Sequence, residues 1–443
     1  MWEGGGAYFW WPAAIISSYA GGEGDSSGGE MAFNSGNPRK MTPDDWQALT
    51  GDIEAIFVPG TAIKEQDLIA GRTDQISRLA GVIRRPGKQA IIYGDRGVGK
   101  SSIAQTFYLS IPRLGDLNAI RVPANFGDTF SDLWRKVFRR MEDGDKNVAE
   151  KYPGAITPDD VFIELQKFHP NDLSLVILDE IDRISDATTK RLLGDTIKAL
   201  ADEDLNAKLI CVGVADSVSD LIVFGHESAS RALVQVEMPR MSDDEMRDLI
   251  ITRLKRLGMT LTGDALWRMI FISKGLPFYG HLLGLHSALT AVAKKRLRIE
   301  ERDVMDGIQE GLKEVDQKIR EGYVMATYSE RQKNIFKEVL LACALAERDD
   351  LGRFNARSVA DRLSVITGET YDVPAFAYHL DEFCQENRGN VLDKIGRRRQ
   401  FSFRFRDSLM EAFVVLKSLE IGLISNDKAQ ALGPSRQREL FSI

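Results

Sequence analysis

Two short stretches of this chain have the residue types and spacing to do chemistry on a phosphate. Residues 94–101 read Gly-Asp-Arg-Gly-Val-Gly-Lys-Ser, which satisfies G-x-x-x-x-G-K-[ST] between an apolar strand-like run, 89–93, and a helix-like pattern. Gly94, Gly97 and Gly99 let the backbone turn tightly, so that the N–H groups of Asp95, Arg96, Val98 and their neighbours through Ser102 face an anionic ligand at the start of a helix. Lys100 would neutralise the β and γ phosphates of a nucleotide, and Ser101 would ligate its Mg²⁺. The second stretch, 175–180, is four apolar residues followed by Asp179 and Glu180. A buried strand would deliver both carboxylates to one end, Asp179 to bind Mg²⁺ through water and Glu180 to orient and polarise an attacking water. Together they point to hydrolysis of ATP; the bland alternative, acidic residues that merely cap the next helix, explains the second stretch alone.

Those residues need a scaffold, and the pattern around them supplies one. Strand-like runs at 89–93, 118–124, 175–178, 208–214 and 232–238 alternate with amphipathic helical segments, as expected for a five-stranded parallel sheet covered on both faces. Both stretches then lie at the carboxyl ends of strands, where open α/β sheets put ligands. One further helix is expected over 42–53, with Thr42 as its cap and Pro43 at the first position. After Met238 the strand pattern stops, and 239–322 reads as a helical domain. A third unit, 323–420, reads as three helices closing with a two-stranded hairpin, the pattern of a winged helix, with 353–380 as its helix-turn-helix. The predicted layout is therefore a disordered or misassigned extension at 1–40, an α/β base at 41–238, a helical lid, the winged helix and a tail at 421–443.

Composition narrows the class. The chain has 443 residues and net charge −7, so no overall field draws it to a polyanion, and nucleic-acid binding must come from a local patch. Three widely spaced cysteines fit a reducing, cytoplasmic setting and neither a disulfide framework nor a zinc site. The apolar run at 8–20 is too short to span a bilayer and contains a proline. A local basic patch does exist: residues 388–406 hold seven Lys or Arg, among them Lys394 and the consecutive Arg397, Arg398 and Arg399 at the predicted wing tip, against one acidic residue, Asp393. Such a wing can lie along the sugar-phosphate chain of duplex DNA, or bind a protein. The predicted recognition helix, 373–387, carries Asp381, Glu382 and Glu386 and no Lys or Arg, which argues against reading of guanine edges and for nonspecific backbone contact.

With these motifs in place, the chain resembles the AAA+ ATPases over residues 57 to about 410, and within them the origin-recognition and Cdc6-type initiators and the related ATPases that regulate bacterial transposition. The resemblance implies a P-loop AAA+ base, a helical lid, a C-terminal winged helix, assembly into oligomers, and Gly71 and Arg72 near the adenine. It implies that Asp216 stands where the family has its sensor residue, often Asn; an Asp there would repel the γ-phosphate and slow hydrolysis. Arg231 resembles the arginine that one subunit inserts toward its neighbour's γ-phosphate, with Arg240 as fallback. The lid departs from the initiators: it has Gly275, Pro277 and Tyr279 where they place an arginine, and looks like the glycine-proline element of signal-transducing NTPases, which would put Pro277 against the nucleotide. His281 is read as a packing residue with phosphate contact as the alternative.

Overall fold

The computed structural model describes residues 38–60, 72–110, 118–143, 146–167, 174–202, 207–215, 217–223, 227–330, 334–349, 352–396 and 401–432. Residues 1–37 of the predicted extension at 1–40 and the arginines at 397–399 lie outside them, as do Gly71 and Asp216, whereas Pro38–Lys40 form a 3₁₀ turn. The chain divides into two compact units, one containing Thr61–Pro239 and the other Ala32–Gly60 with Arg240–Ile443.

The order through the first half is α1 (Pro43–Ile56), α2 (Thr73–Arg84), β1 (Gln89–Gly94), α3 (Lys100–Ser110), β2 (Asn118–Pro123), α4 (Phe130–Phe138), α5 (Pro158–Lys167), β3 (Ser174–Asp179), α6 (Ala187–Asp202), β4 (Ala207–Val214), α7 (Val218–Leu221), α8 (Glu227–Ala232) and β5 (Leu233–Glu237). The five strands form one sheet in the order β2-β3-β4-β1-β5, and every pairing is parallel. All six residues of β3 are buried, as a strand covered on both faces requires. On one side Trp134, Phe130 and Phe138 of α4 fill the core with Leu193, Ile197 and Leu200 of α6. The local start of α4 is dictated by Thr129 and Asp132, which bond each other's backbone N–H in a capping box. Because β4 lies between β1 and β3, the ends of the phosphate-loop strand and the acidic strand flank the segment that leaves β4.

The predicted helix at 42–53 forms as α1, with Thr42 and Asp45 in a capping box and Pro43 at its first position. Its place differs from the predicted base at 41–238, since residues 32–60 belong to the second unit. The reason is hydrophobic. Trp46, Leu49, Ile53 and Phe57 are all buried, the Phe57 ring fills the space that a Cβ at Gly284 would take, and Val58 N donates to His281 Nδ1 at 3.1 Å.

The second unit continues with α9 (Asp243–Arg256), α10 (Gly263–Ser273), α11 (Pro277–Ala293), α12 (Glu301–Glu314), α13 (Gln317–Thr327), α14 (Phe336–Leu345), β6 (Phe354–Asn355), α15 (Ala356–Thr367), α16 (Val373–Glu382), β7 (Leu392–Ile395), β8 (Ser402–Phe405), α17 (Ser408–Glu420) and α18 (Asn426–Leu432). A short parallel pairing of Thr260–Leu261 with Arg298–Ile299 interrupts the predicted all-helical lid. The predicted border at 322 falls inside α13, and the lid and C-terminal segments share one unit, tied by Tyr279 Oη donating to Leu409 O at 2.8 Å and by the ion pair of Arg240 with Glu411. The hairpin is three-stranded rather than two-stranded: β6 joins antiparallel to β8, opposite β7, and stacks Phe354 on Phe403. Part of the predicted tail also folds, because α18 buries Ala429 and Leu432 and Lys428 Nζ donates to Ile366 O at 2.6 Å.

Candidate nucleotide site

The turn after β1 is built around glycines that no other residue could replace at equal cost. Gly94, Gly97 and Gly99 have φ of 144°, 84° and 96°. A Cβ on Gly94 would lie 2.5 Å from the Met238 carbonyl oxygen, whereas one on Gly99 would meet nothing within 4 Å. The first glycine thus allows a close backbone approach, and the third faces open space. Val98 anchors the loop by its burial. Lys100 is buried too, and its ammonium donates to Gly94 O at 3.0 Å and Asp95 O at 2.6 Å. Burial pushes its pKa down to about 8, against the opposing pull of Asp182, Asp95 and Asp179. Those contacts hold the Lys100 ammonium against the carbonyls at the start of the loop.

At the end of β3 the two carboxylates part company. Asp179 is buried and uses both oxygens: Oδ1 accepts from Glu180 N at 2.9 Å and Ser101 Oγ at 3.3 Å, and Oδ2 is ion-paired with Arg121 of β2. Arg121 is anchored in turn by donating to Gln105 Oε1 on α3. Glu180 is half-exposed and left-handed, with φ 57° and ψ 34°, a conformation that costs a non-glycine residue roughly 1–2 kcal/mol. Its Oε2 lies 3.3 Å from Arg183 Nε. Asp182, one turn on, accepts from Val214 N at 2.8 Å and so ties the acidic segment to the end of β4.

Reasoning from sequence found Lys100, Ser101, Asp179 and Glu180 and missed Arg121, Gln105, Asp182 and Arg183. One signal was there: Arg121 is a lone cation within an apolar strand, and a charge in such a strand needs a partner.

Ser101 Oγ and Asp179 Oδ1 are hard oxygen donors facing each other, the donor type that suits Mg²⁺ completed by water and phosphate oxygens. Among the described residues no cluster of three or more His, Cys, Asp or Glu could hold a metal by itself.

No family model matches this chain, and no curated protein matches it in sequence. Among solved structures it is similar to the Aeropyrum pernix ORC1 protein in complex with DNA, at 15% identity over 82% of this chain and 95% of that one, with a TM-score of 0.46. It is also similar to a Walker-type ATPase of Pyrococcus abyssi, at 16% identity over 82% and 99% of the two chains with a TM-score of 0.49, and to a RuvB variant of Thermotoga maritima, at 13% over 80% and 97% with a TM-score of 0.42. Likenesses of this size assign no role to any residue. What decides the fold is the chain's own geometry, with the phosphate loop on β1, the acidic pair on β3 and β4 between them. The α/β unit has a P-loop NTPase fold.

Within this P-loop unit the remaining predicted residues fall at unequal distances from the phosphate loop. Arg72 is buried, and Nη2 donates to Pro239 O at 2.8 Å and to Val98 O at 3.4 Å, so it ties the loop to the chain leaving β5. Ser102 is partly buried in the first turn of α3. Arg231 is exposed at the end of α8, just ahead of Leu233, which pairs with Gln89 at the start of β1. The loop begins at Gly94, five strand residues further on, roughly 16 Å away; Arg231 sits at the opposite end of the sheet from its own loop.

Two residues of the second unit that the sequence singled out make contacts of their own. Arg240, the fallback finger, is locked in a buried cluster: Nη1 lies 2.5 Å from Glu411 Oε2, and Arg348 holds the other carboxylate oxygen. His281 is a packing residue, buried edge-on to Phe57 and accepting a hydrogen bond from Val58 N; burial pushes its pKa well down. Pro277 is buried in the first turn of α11.

The basic stretch is less cationic than its sequence. Lys394 Nζ lies 2.6 Å from Asp381 and over the Phe401 ring, Arg388 Nε lies 3.3 Å from Glu382, and Asp393 takes both Arg406 at 3.1 Å and Arg404 at 3.6 Å. Each described cation of 388–406 therefore has an acidic partner. No helix among the described residues is long and apolar enough to cross a membrane.

Proposed function

We propose that this protein is an ATP-dependent switch that binds ATP with Mg²⁺, hydrolyses it slowly, and engages its partner according to the nucleotide it holds. The observation that carries the reading is the meeting of Ser101 Oγ and Asp179 Oδ1 beside Lys100 and an open glycine loop. Mg²⁺ held by those two residues would neutralise charge developing on the transferred phosphate. Lys100 would trade the Gly94 and Asp95 carbonyls for phosphate oxygens. Glu180 would orient the attacking water and accept its proton, for which its carboxylate must first leave Arg183. That requirement, with an Asp at position 216, supports slow or partner-stimulated turnover. Arg231, remote from its own loop and exposed, suits a role across an interface between subunits.

The test is biochemical. Glu180→Gln should retain nucleotide and lose hydrolysis, Lys100→Ala should lose binding, and a mixture of Arg231→Ala with Lys100→Ala should recover activity, because each variant keeps the half-site that the other lacks. Normal hydrolysis by Glu180→Gln refutes the assignment.

For the partner, the helix-strand-helix-helix-strand-strand order of α14 to β8 supports a winged helix, and duplex DNA held through nonspecific backbone contacts by Arg397, Arg398 and Arg399 with Lys394 is our first reading. Fluorescence anisotropy on a random duplex at two salt concentrations should show binding that depends on ATP and is lost when the three arginines become Ala. The ion pairs of Arg388, Lys394, Arg404 and Arg406 favour a second reading, a protein effector on the same domain. Failure of the intact protein to bind DNA at low salt would discard the first.

A further inference from the structure

Asp179 has two jobs that conflict. It must be ionised to hold a metal, yet it is buried, and a buried carboxylate without a cation nearby is costly. Arg121 supplies that cation: its guanidinium is ion-paired with Oδ2 and braced by Gln105 of α3, one turn beyond Ser101. We infer that Arg121 is the resident counter-ion of Asp179, against which Mg²⁺ must compete, and that it sets the magnesium requirement of the site. The inference rests on residues 94–101 and Asp179 forming a magnesium-nucleotide site.

The direction of the effect follows from how the carboxylate is held. If Arg121 chiefly oriented Asp179, its loss would weaken metal binding, as the loss of outer-shell partners usually does. Orientation, however, is already supplied at Oδ1 by Glu180 N at 2.9 Å and Ser101 Oγ at 3.3 Å, neither of which involves Arg121. Arg121 adds a hydrogen bond to Oδ2 and a positive charge, and a monocation beside a divalent ion repels it. Competition outweighs orientation, and removing the charge should tighten the metal. Arg121 thus acts on the site through Asp179, which it pairs, and is itself held by Gln105.

The test uses the full chain and a fluorescent, non-hydrolysable ATP analogue, first in EDTA and then titrated with Mg²⁺, with bound Mn²⁺ counted by electron paramagnetic resonance. Arg121→Gln should bind the analogue in EDTA as the wild type does and reach half-maximal metal response at a lower concentration, on the order of tenfold lower, the scale on which outer-shell residues act. Arg121→Met, neutral and of similar bulk, is the second variant should Gln disturb folding, and it should shift the same way. Arg121→Lys, which keeps the charge, should stay near the wild-type midpoint. In an Asp179→Asn background the effect of Arg121→Gln should vanish. An unchanged or raised midpoint in both neutral variants, or a shift that persists without the carboxylate, overturns the inference. Failure of the wild type to bind the analogue under either condition overturns instead the site reading beneath it.

Discussion

Glu180 and Arg183 face each other across a single 3₁₀ turn, Oε2 of one 3.3 Å from Nε of the other, while the Glu180 backbone sits in the left-handed region. The pair is exposed on both sides and therefore weak, so it biases the carboxylate without locking it. Arg183→Ala should raise basal ATP hydrolysis by about twofold to fivefold, the factor that corresponds to an exposed ion pair. Steady-state phosphate release with nucleotide affinity measured alongside is sufficient, and a fall in turnover would mean that Arg183 serves the reaction instead of restraining it.

Lys100 gives a pH signature. Burial pushes its pKa down to about 8, so in the free protein it is charged below that pH and loses its proton above it. Phosphate must bind the charged form; ATP affinity should be flat below pH 8 and then weaken by up to tenfold per unit as pH rises. Calorimetry in buffers of different ionisation enthalpy should show proton uptake on binding above that pH, and Lys100→Arg should abolish the dependence. The stability sign is separate. Between about 8 and the model-peptide value of about 10.4 the unfolded chain binds more protons than the folded one, so Lys100 makes stability rise with pH across that window.

The glycines of the loop should fail in different ways. Gly94→Ala places a Cβ 2.5 Å from Met238 O, an overpacking expected to cost about 1–3 kcal/mol and to lower the melting temperature. Gly99→Ala meets nothing within 4 Å and pays only the strain of φ 96°, so it should melt below the wild type but above Gly94→Ala, while its new methyl hinders the approach of phosphate. Thermal melts with nucleotide titrations separate the two; equal destabilisation would contradict the distinction.

Glu411 is the centre of a cation cluster in the second unit, ion-paired with Arg240 and Arg348 and near Lys274. Burial alone would raise its pKa, but those three charges outweigh burial and hold the carboxyl below its ordinary value. Glu411→Gln leaves two partly buried arginines without their carboxylate and should cost about 3 kcal/mol in urea unfolding, the lower end for breaking a buried pair. By linkage the pair's contribution is present above the unfolded carboxyl value and is lost as pH falls through the lower folded value.

Local pattern was enough to place the phosphate loop, the acidic pair and all five strands of the sheet, because apolar runs, glycine turns and caps act within a few residues of chain. The same locality explains the misses. Arg121 meets Asp179 across 58 residues, Arg240 meets Glu411 across 171, and Val58 meets His281 across 223. A periodicity says which face of an element is buried and is silent about what covers it, so α1 looked like a neighbour of the sheet that follows it in the chain. Packing of Trp46, Leu49, Ile53 and Phe57 put it elsewhere. The residue types named the chemistry; only the folded chain decided which cation each buried carboxylate would keep, since that choice belongs to whichever partner tertiary packing brings within reach.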